Sequence, residues 1–308
     1  MKLLFGYTKI IALLALVLFS CTKPKEGCTD PEALNYDPAA KYNSRCTYGE
    51  KPTPITPPCV GDTCDPDSSQ EAKFQKVEIN IIPLVDGERL YLSKNYKDQQ
   101  GRNLEFTLFK YFVSNVQVGT STLEKYEITD VELIDYDTST LFSETRKIYD
   151  HKIEGELVPG TYSTLYFGCG VDPVLNEEYR PNDYPAEHPL NTTFNGMDWT
   201  WEAKYKFLSL DGRIDIDSTG DYDRSFFYHT GFSELYRQVI LQTGEFEVRE
   251  GQTTYINLEL DILKVFENID LAGKQGQSHT SGPEQLEYSR TVQTNLANNI
   301  RFVGITYE

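Results

Sequence analysis

Four histidines and two tryptophans are the scarcest polar-aromatic side chains in these 308 residues, and three of the six lie close together in the chain. His188 stands in "AEHPL", and the only tryptophans, Trp199 and Trp201, follow in "GMDWTWEAKYKF". His229 comes one segment later, in "FFYHTGF". Read as a strand, residues 199–207 turn Trp199, Trp201, Ala203, Tyr205 and Phe207 to one face and Asp198, Thr200, Glu202, Lys204 and Lys206 to the other. The plain use of such a face is packing one sheet against another. The chemical use is to wall a cation. If this strand pairs with the next, His229 returns to the end of the sheet near His188. Two imidazoles beside an indole suit copper, because Cu(I) accepts few donors and an aromatic face attracts a cation. Taken singly, each histidine reads more readily as an exposed residue than as a ligand. His151 reads as surface loop, and His279, in "SHTSGPE", as a surface or helix-start residue.

Other chemistries lack their residues. The chain has no HExxH, GxSxG or GxGxxG, and no cysteine pair in the folded part has zinc spacing. No enzyme is expected. "GVDPVLNEE" offers oxygens for calcium, although solvated loop charge is the plainer reading. Cys169, between apolar residues in "LYFGCGVD", reads as a small core side chain.

The elements that must position these residues read as strands. "KFQKVEINIIPLVDG", "LEFTLFKYFVSNVQV", "KYEITDVELIDYD" and "GELVPGTYSTLYFGCGV" have strand composition, the last with a Pro159-Gly160 turn. "FEVREGQTTYINLELDIL" suggests a hairpin around Glu250-Gly251. One helix is expected near the C-terminus, where Val292, Leu296 and Ile300 recur every four residues after Pro283. The polar stretch 172–196 is long for a loop, a length usually tied to function or disorder. The fold class expected is an all-β, antiparallel β-sandwich over residues 73–308 with one C-terminal helix.

The N-terminus has another purpose. Lys2 and Lys9 precede an apolar run that ends in Leu18-Phe19-Ser20-Cys21, so residues 1–20 read as a signal peptide. The last four residues resemble a lipobox, which makes Cys21 the expected lipidated N-terminus. The protein is then a lipoprotein of the bacterial envelope, held by its lipid at a membrane, expected to be the outer one. Residues 21–72 read as a tether rich in cysteine and proline. Its Cys28, Cys46, Cys59 and Cys64 suit disulfides in an oxidising compartment, and Cys28–Cys46 with Cys59–Cys64 is the most local of three pairings. The segment "CTDPEALNYDPAAKYNSRCTY" resembles a short Cys-bounded element of bacterial surface proteins. The net charge of −18 excludes a nucleic-acid partner and favours cations.

Four blocks in order, "SNVQV", "VPGTYSTLYFGCGVDP", "HPLN" with "GMDWTWEAKYKFLSLDG", and "YHTG", resemble the MbnP-like family of methanobactin-associated copper-binding proteins. The resemblance spans roughly residues 75–303. It implies a β-sandwich and a copper site of two histidines and a tryptophan oxidised to kynurenine by an external dihaem peroxidase-like partner. Carried over, these roles fall on His188, His229 and either Trp199 or Trp201. Two residues depart from the family pattern: Lys204 stands where a glycine is usual, and Cys169 where an apolar residue is. The alternative is a surface adhesion or glycan-binding module without metal, which the aromatic content and the tether suit as well.

Overall fold

A computed structural model describes residues 73–136, 151–193 and 195–308, and the backbone of 26–27 and 42–43. The proposed signal peptide, Cys21 and the four tether cysteines lie outside the described residues. The chain divides into two compact units, residues 1–58 and 59–308. In the first, β1 (Glu26–Gly27) and β2 (Tyr42–Asn43) pair in parallel.

The second unit is a β-sandwich. In chain order its strands are β3 (Gln75–Val85), β4 (Glu88–Arg89), β5 (Tyr96–Lys97), β6 (Asn103–Gly119), β7 (Lys125–Tyr136), β8 (Lys152–Leu157) and β9 (Gly160–Cys169). There follow β10 (Leu208–Ile214), β11 (Arg224–Thr230), β12 (Arg237–Val248), β13 (Thr254–Asp261), β14 (Gln277–Ser278) and β15 (Ile300–Tyr307). The helices are α1 (Pro173–Glu178), α2 (Ile262–Val265) and α3 (Pro283–Asn299). The larger sheet runs β12-β9-β6-β10-β11-β14, with β5 and β7 also on β6; the smaller runs β15-β13-β3-β4, with β8 also on β3.

The period-two pattern explains the packing. In β13, Thr254, Ile256, Leu258 and Leu260 are buried and the residues between them are partly exposed. Ile256, Leu258 and Leu260 share one core with Phe106, Phe109, Leu210 and Phe226 of the larger sheet. Tyr136 on β7 closes the gap by donating its hydroxyl to the Ile81 carbonyl on β3 at 2.6 Å. Cys169 is fully buried in that core, as expected, and burial pushes its thiol up to about 12, so it offers no thiolate.

Three expectations need correction. The sheets are mixed and not purely antiparallel: β13 runs parallel to β3, and β14 parallel to β11. Glu250-Gly251 does turn, with Gly251 at φ +76°. The turn joins no hairpin, however, because β12 pairs with β9 in one sheet while β13 pairs with β15 and β3 in the other. The connection therefore carries the chain across the sandwich. Helix α3 holds Val292 and Leu296 against the core, but Ile300 opens β15, an unforeseen strand antiparallel to β13.

β6 determines where the site forms. On one flank it keeps β7 from Phe109 to Gly119. On the other it pairs with β10 up to Tyr111 and with β9 from Val113. At the switch, Phe112 N donates to Phe207 O at 3.0 Å and its own carbonyl accepts from Gly170 N at 2.8 Å. The chain between β9 and β10, which contains α1, covers this divergence with a second core of Phe112, Val171, Leu190, Met197, Tyr205 and Phe207, among others. The 172–196 stretch is thus largely folded, with Asp172 capping α1 by accepting from Val174 N at 2.8 Å.

Candidate metal site

Residues 199–207 do not form the expected strand. Trp199 N donates to Lys204 O at 2.7 Å and Lys204 N to Trp201 O at 2.9 Å, which folds the segment into a tight turn closed by one bridge, Asp198 with Tyr205. Lys204 sits at φ +62°. A left-handed residue costs about 1–2 kcal/mol when it is not glycine, which accounts for the glycine usual in the family pattern. Here the lysine reaches Glu177, at 2.5 Å to Oε2 and 3.0 Å to the carbonyl. The turn sends Ala203, Tyr205 and Phe207 inward but keeps the indoles out of the inter-sheet core. The tryptophans therefore do not pack sheet on sheet. Their rings lie 4.9 Å apart, and Trp201, 38% exposed, meets Phe232 edge-on at 5.6 Å.

Trp199 faces the end of β11. A Cβ on Gly231 would stand 2.5 Å from its Cζ3, so the indole uses space that only glycine leaves. Two residues earlier is His229. Register explains its surroundings: β10 pairs with β11 so that Ser209 opposes His229, which makes Asp211 its diagonal neighbour on one face. The Asp211 carboxylate lies 2.8 Å from His229 Nε2. A carboxylate only accepts, so Nε2 carries a proton, and in the neutral imidazole the lone pair is then on Nδ1.

What Nδ1 faces was not foreseen. β14 lies parallel to β11 with Phe227 opposite Gln277 and Tyr228 opposite Ser278. The next pair in that register is His229 and His279. Their Nδ1 atoms are 3.1 Å apart. His279 is therefore not merely a surface or helix-start residue. Its amide donates to Gln285 Oε1 of α3 at 3.0 Å, and the next residue, Thr280, donates its hydroxyl to the His229 carbonyl at 2.8 Å. Buried Gln293 ties the same end of β11 to β9, accepting from Thr230 Oγ1 and donating to the Cys169 carbonyl. Phe227 walls the pair, 4.4 Å from the His279 ring and 5.6 Å from that of His229.

His188 is engaged within its own loop. Its ring stacks on Tyr184 at 4.2 Å, and its Nδ1 accepts the Leu190 amide at 3.1 Å. His151 lies 3.4 Å from Glu132. The acidic stretch proposed for calcium is spent on protein partners: Asp172 caps α1 and accepts from Asn115, and Glu177 takes Lys204 and Ser233. Among the described residues, no group of three or more His, Cys, Asp and Glu side chains is arranged to hold a metal. The His229–His279 pair is thus a two-nitrogen site with a carboxylate behind one ring.

The MbnP family model matches residues 74–281. The chain belongs to the MbnP family. A solved structure, MbnP from Methylosinus trichosporium, is 15% identical and aligns over 64% of this chain and 79% of its own, with a TM-score of 0.45. No curated protein matches. The matched segment of this MbnP-family chain ends at Ser281, so it contains both histidines of the pair.

The pair makes stability depend on pH. Desolvation, and then the neighbouring His229, hold the His279 imidazole below its ordinary 6.5. The unfolded chain then binds the proton more readily than the folded one. This contribution is present above pH 6.5 and is lost as the pH falls through the folded value. A His279→Asn variant should lose less unfolding free energy than wild type between pH 7 and pH 5, as measured by denaturant titration. Equal losses would exclude His279 as a source of that slope.

Proposed function

We propose that this MbnP-family protein is a copper-binding lipoprotein of the bacterial envelope, and that His229 and His279 hold the ion. The observation that carries this reading is the 3.1 Å separation of the two Nδ1 atoms, with the His229 tautomer held by Asp211. Metal–imidazole bonds of about 2 Å let one ion reach both nitrogens at such a spacing. Two imidazole nitrogens beside an aromatic wall suit an ion that accepts few ligands, which favours Cu(I) over calcium, which needs many oxygens, and over zinc, which usually takes four donors. Taking both Nδ1 atoms requires His279 to carry its proton on Nε2. The copper, when bound, would be stored or delivered and not used in turnover. Trp199, packed beside the strand end that bears His229, is the indole best placed to wall the ion. Trp201 is the more accessible ring to an external dihaem peroxidase-like oxidase, the partner the family resemblance implies.

The test is Cu(I) titration of the mature protein against a chromophoric chelator, with intact mass recorded in parallel for tryptophan oxidation. One equivalent, bound tightly enough to compete with the chelator, is expected. No competition would refute the reading. The glycan-binding alternative draws on the exposed Trp201 and on a polar cleft of about 600 Å³ lined by Tyr179, Arg180, Asp183, Thr193, Asp198 and Thr200. Oligosaccharide binding without copper uptake would favour it.

A further inference from the structure

Ser278 and Thr280 are buried, and His279 between them is exposed. Thr280 stands at φ +60°. A β-branched residue in that region is an outlier that persists only where its surroundings over-determine it. Here the surroundings are hydrogen bonds. Thr280 Oγ1 donates to the His229 carbonyl at 2.8 Å and lies 3.0 Å from Ser289 Oγ, and Thr280 N donates to Ser278 Oγ at 3.1 Å. Ser278 Oγ donates to the Gln285 carbonyl at 3.0 Å and lies 2.8 Å from Ser289 Oγ. The protons can be counted. Ser278 and Thr280 each direct their one hydroxyl proton to a carbonyl, so Ser289 supplies the proton for its contacts with both. The Gln285 side chain holds the outer side of the turn: its Oε1 accepts from His279 N at 3.0 Å, Ser281 N at 3.2 Å and Ser281 Oγ at 2.9 Å.

Gln285, Ser289 and Gln293 stand four apart and form one polar stripe along α3, beyond the Ser281 at which the family match ends. Gln293 holds Thr230, the residue after His229, while Ser289 and Gln285 hold the segment around His279. One helix face thus grips both chain segments that carry the histidines, and the Thr280 hydroxyl links the two segments directly. We infer that Thr280 is a positioning residue of the His229–His279 pair: its hydroxyl ties the segment bearing His279 to the His229 backbone, and its strained turn, braced by the stripe on α3, sets the two imidazoles at ligand spacing before an ion arrives. The inference rests on the copper reading above and adds to it what keeps the second ligand in reach. A site with two donors depends on this most, because a His279 that swings away leaves a single imidazole.

The test titrates Ag(I), an air-stable monovalent probe, into the full mature chain as wild type, Thr280→Val, Thr280→Ser, Thr280→Gly and His279→Ala, with nitrogen NMR of the imidazoles and thermal melts on the same samples. Valine keeps the shape and removes the hydroxyl, and serine keeps the hydroxyl. Glycine removes the hydroxyl and relieves the strain, so it serves should valine disturb folding. Ag(I) affinity should fall about 10–100-fold in Thr280→Val and Thr280→Gly, the cost typical of losing a group that orients a ligand, and stay within about threefold of wild type in Thr280→Ser. Ag(I) should move the Nδ1 resonances of both histidines in wild type but that of His229 alone in Thr280→Val. A merely structural role would lower the melting temperature and leave both resonances responsive. Wild-type affinity in the valine and glycine variants, or an equal loss in the serine one, with His279→Ala still abolishing Ag(I) uptake, overturns the role of Thr280 alone. Wild-type Ag(I) affinity in His279→Ala overturns the histidine pair as the site, and the role of Thr280 with it.

Discussion

His279→Ala and His229→Ala should each weaken Cu(I) binding by at least about 100-fold, whereas His188→Ala should leave it within about twofold. Loss of a residue that only orients a ligand typically costs 10–100-fold in metal affinity, so loss of one of two ligands costs more. Asp211→Asn should fall in that 10–100-fold band. It keeps the shape of the side chain but lets an amide face His229 Nε2, which loosens the tautomer that leaves Nδ1 free. His188 is the informative control. It is the histidine nearest the tryptophans in sequence, yet its ring is stacked on Tyr184 and its Nδ1 accepts the Leu190 amide. Competition titration of the four variants against one chelator checks the order. A large loss in His188→Ala with none in His279→Ala would return the ligand role to the 172–196 stretch.

The difference between His188 and His279 shows how far the sequence could be read. β3 is legible because burial of one face writes a two-residue alternation, and β6, β7 and β9 are legible through their aromatic and β-branched composition. The family blocks also pointed to the β-sandwich. What sequence reasoning lacks is pairing. His279 reaches His229 through two residues of parallel strand, Gln277–Ser278, laid beside Phe227 and Tyr228 some fifty positions away. No periodicity signals so short a strand. The Trp199–Phe207 error has a different cause. Apolar alternation is real at Ala203, Tyr205 and Phe207, but the positive φ of Lys204 folds back the residues before it. A lysine gives no hint of a left-handed turn, whereas the glycine usual in the family would. The supposed hairpin at Gly251 failed because a turn residue fixes local geometry and not which sheet receives the next strand.

Gly212→Ala should be a strongly damaging change near the pair despite its small size, with a cost of about 3 kcal/mol in folding free energy. Gly212 sits on β10 where the register with β6 slips between Asp211 and Gly212, a bulge of the kind that re-aims a neighbouring side chain. A Cβ there would overlap the Phe226 ring tip and the Glu105 carbonyl oxygen. Neither can yield cheaply. The carbonyl belongs to the paired strand, and Phe226 is locked edge-on against Phe106 at 5.8 Å and Phe266 at 5.7 Å. Such aromatic pairs contribute about 0.5–1.5 kcal/mol each beyond their burial. In a domain of this size, 3 kcal/mol corresponds to a melting temperature lower by roughly 6–12 °C. The matched control is Gly304→Ala on β15, where an added Cβ meets nothing within 4 Å, and which should stay within about 0.5 kcal/mol of wild type. Because the bulge also aims Asp211 at His229, the folded fraction of Gly212→Ala should bind Cu(I) more weakly than wild type, by a factor approaching that of Asp211→Asn. Thermal melts and titration on the same samples separate the two effects. A variant that melts early but binds Cu(I) with wild-type affinity would show that Asp211 is held by its bond to His229 and not by the bulge.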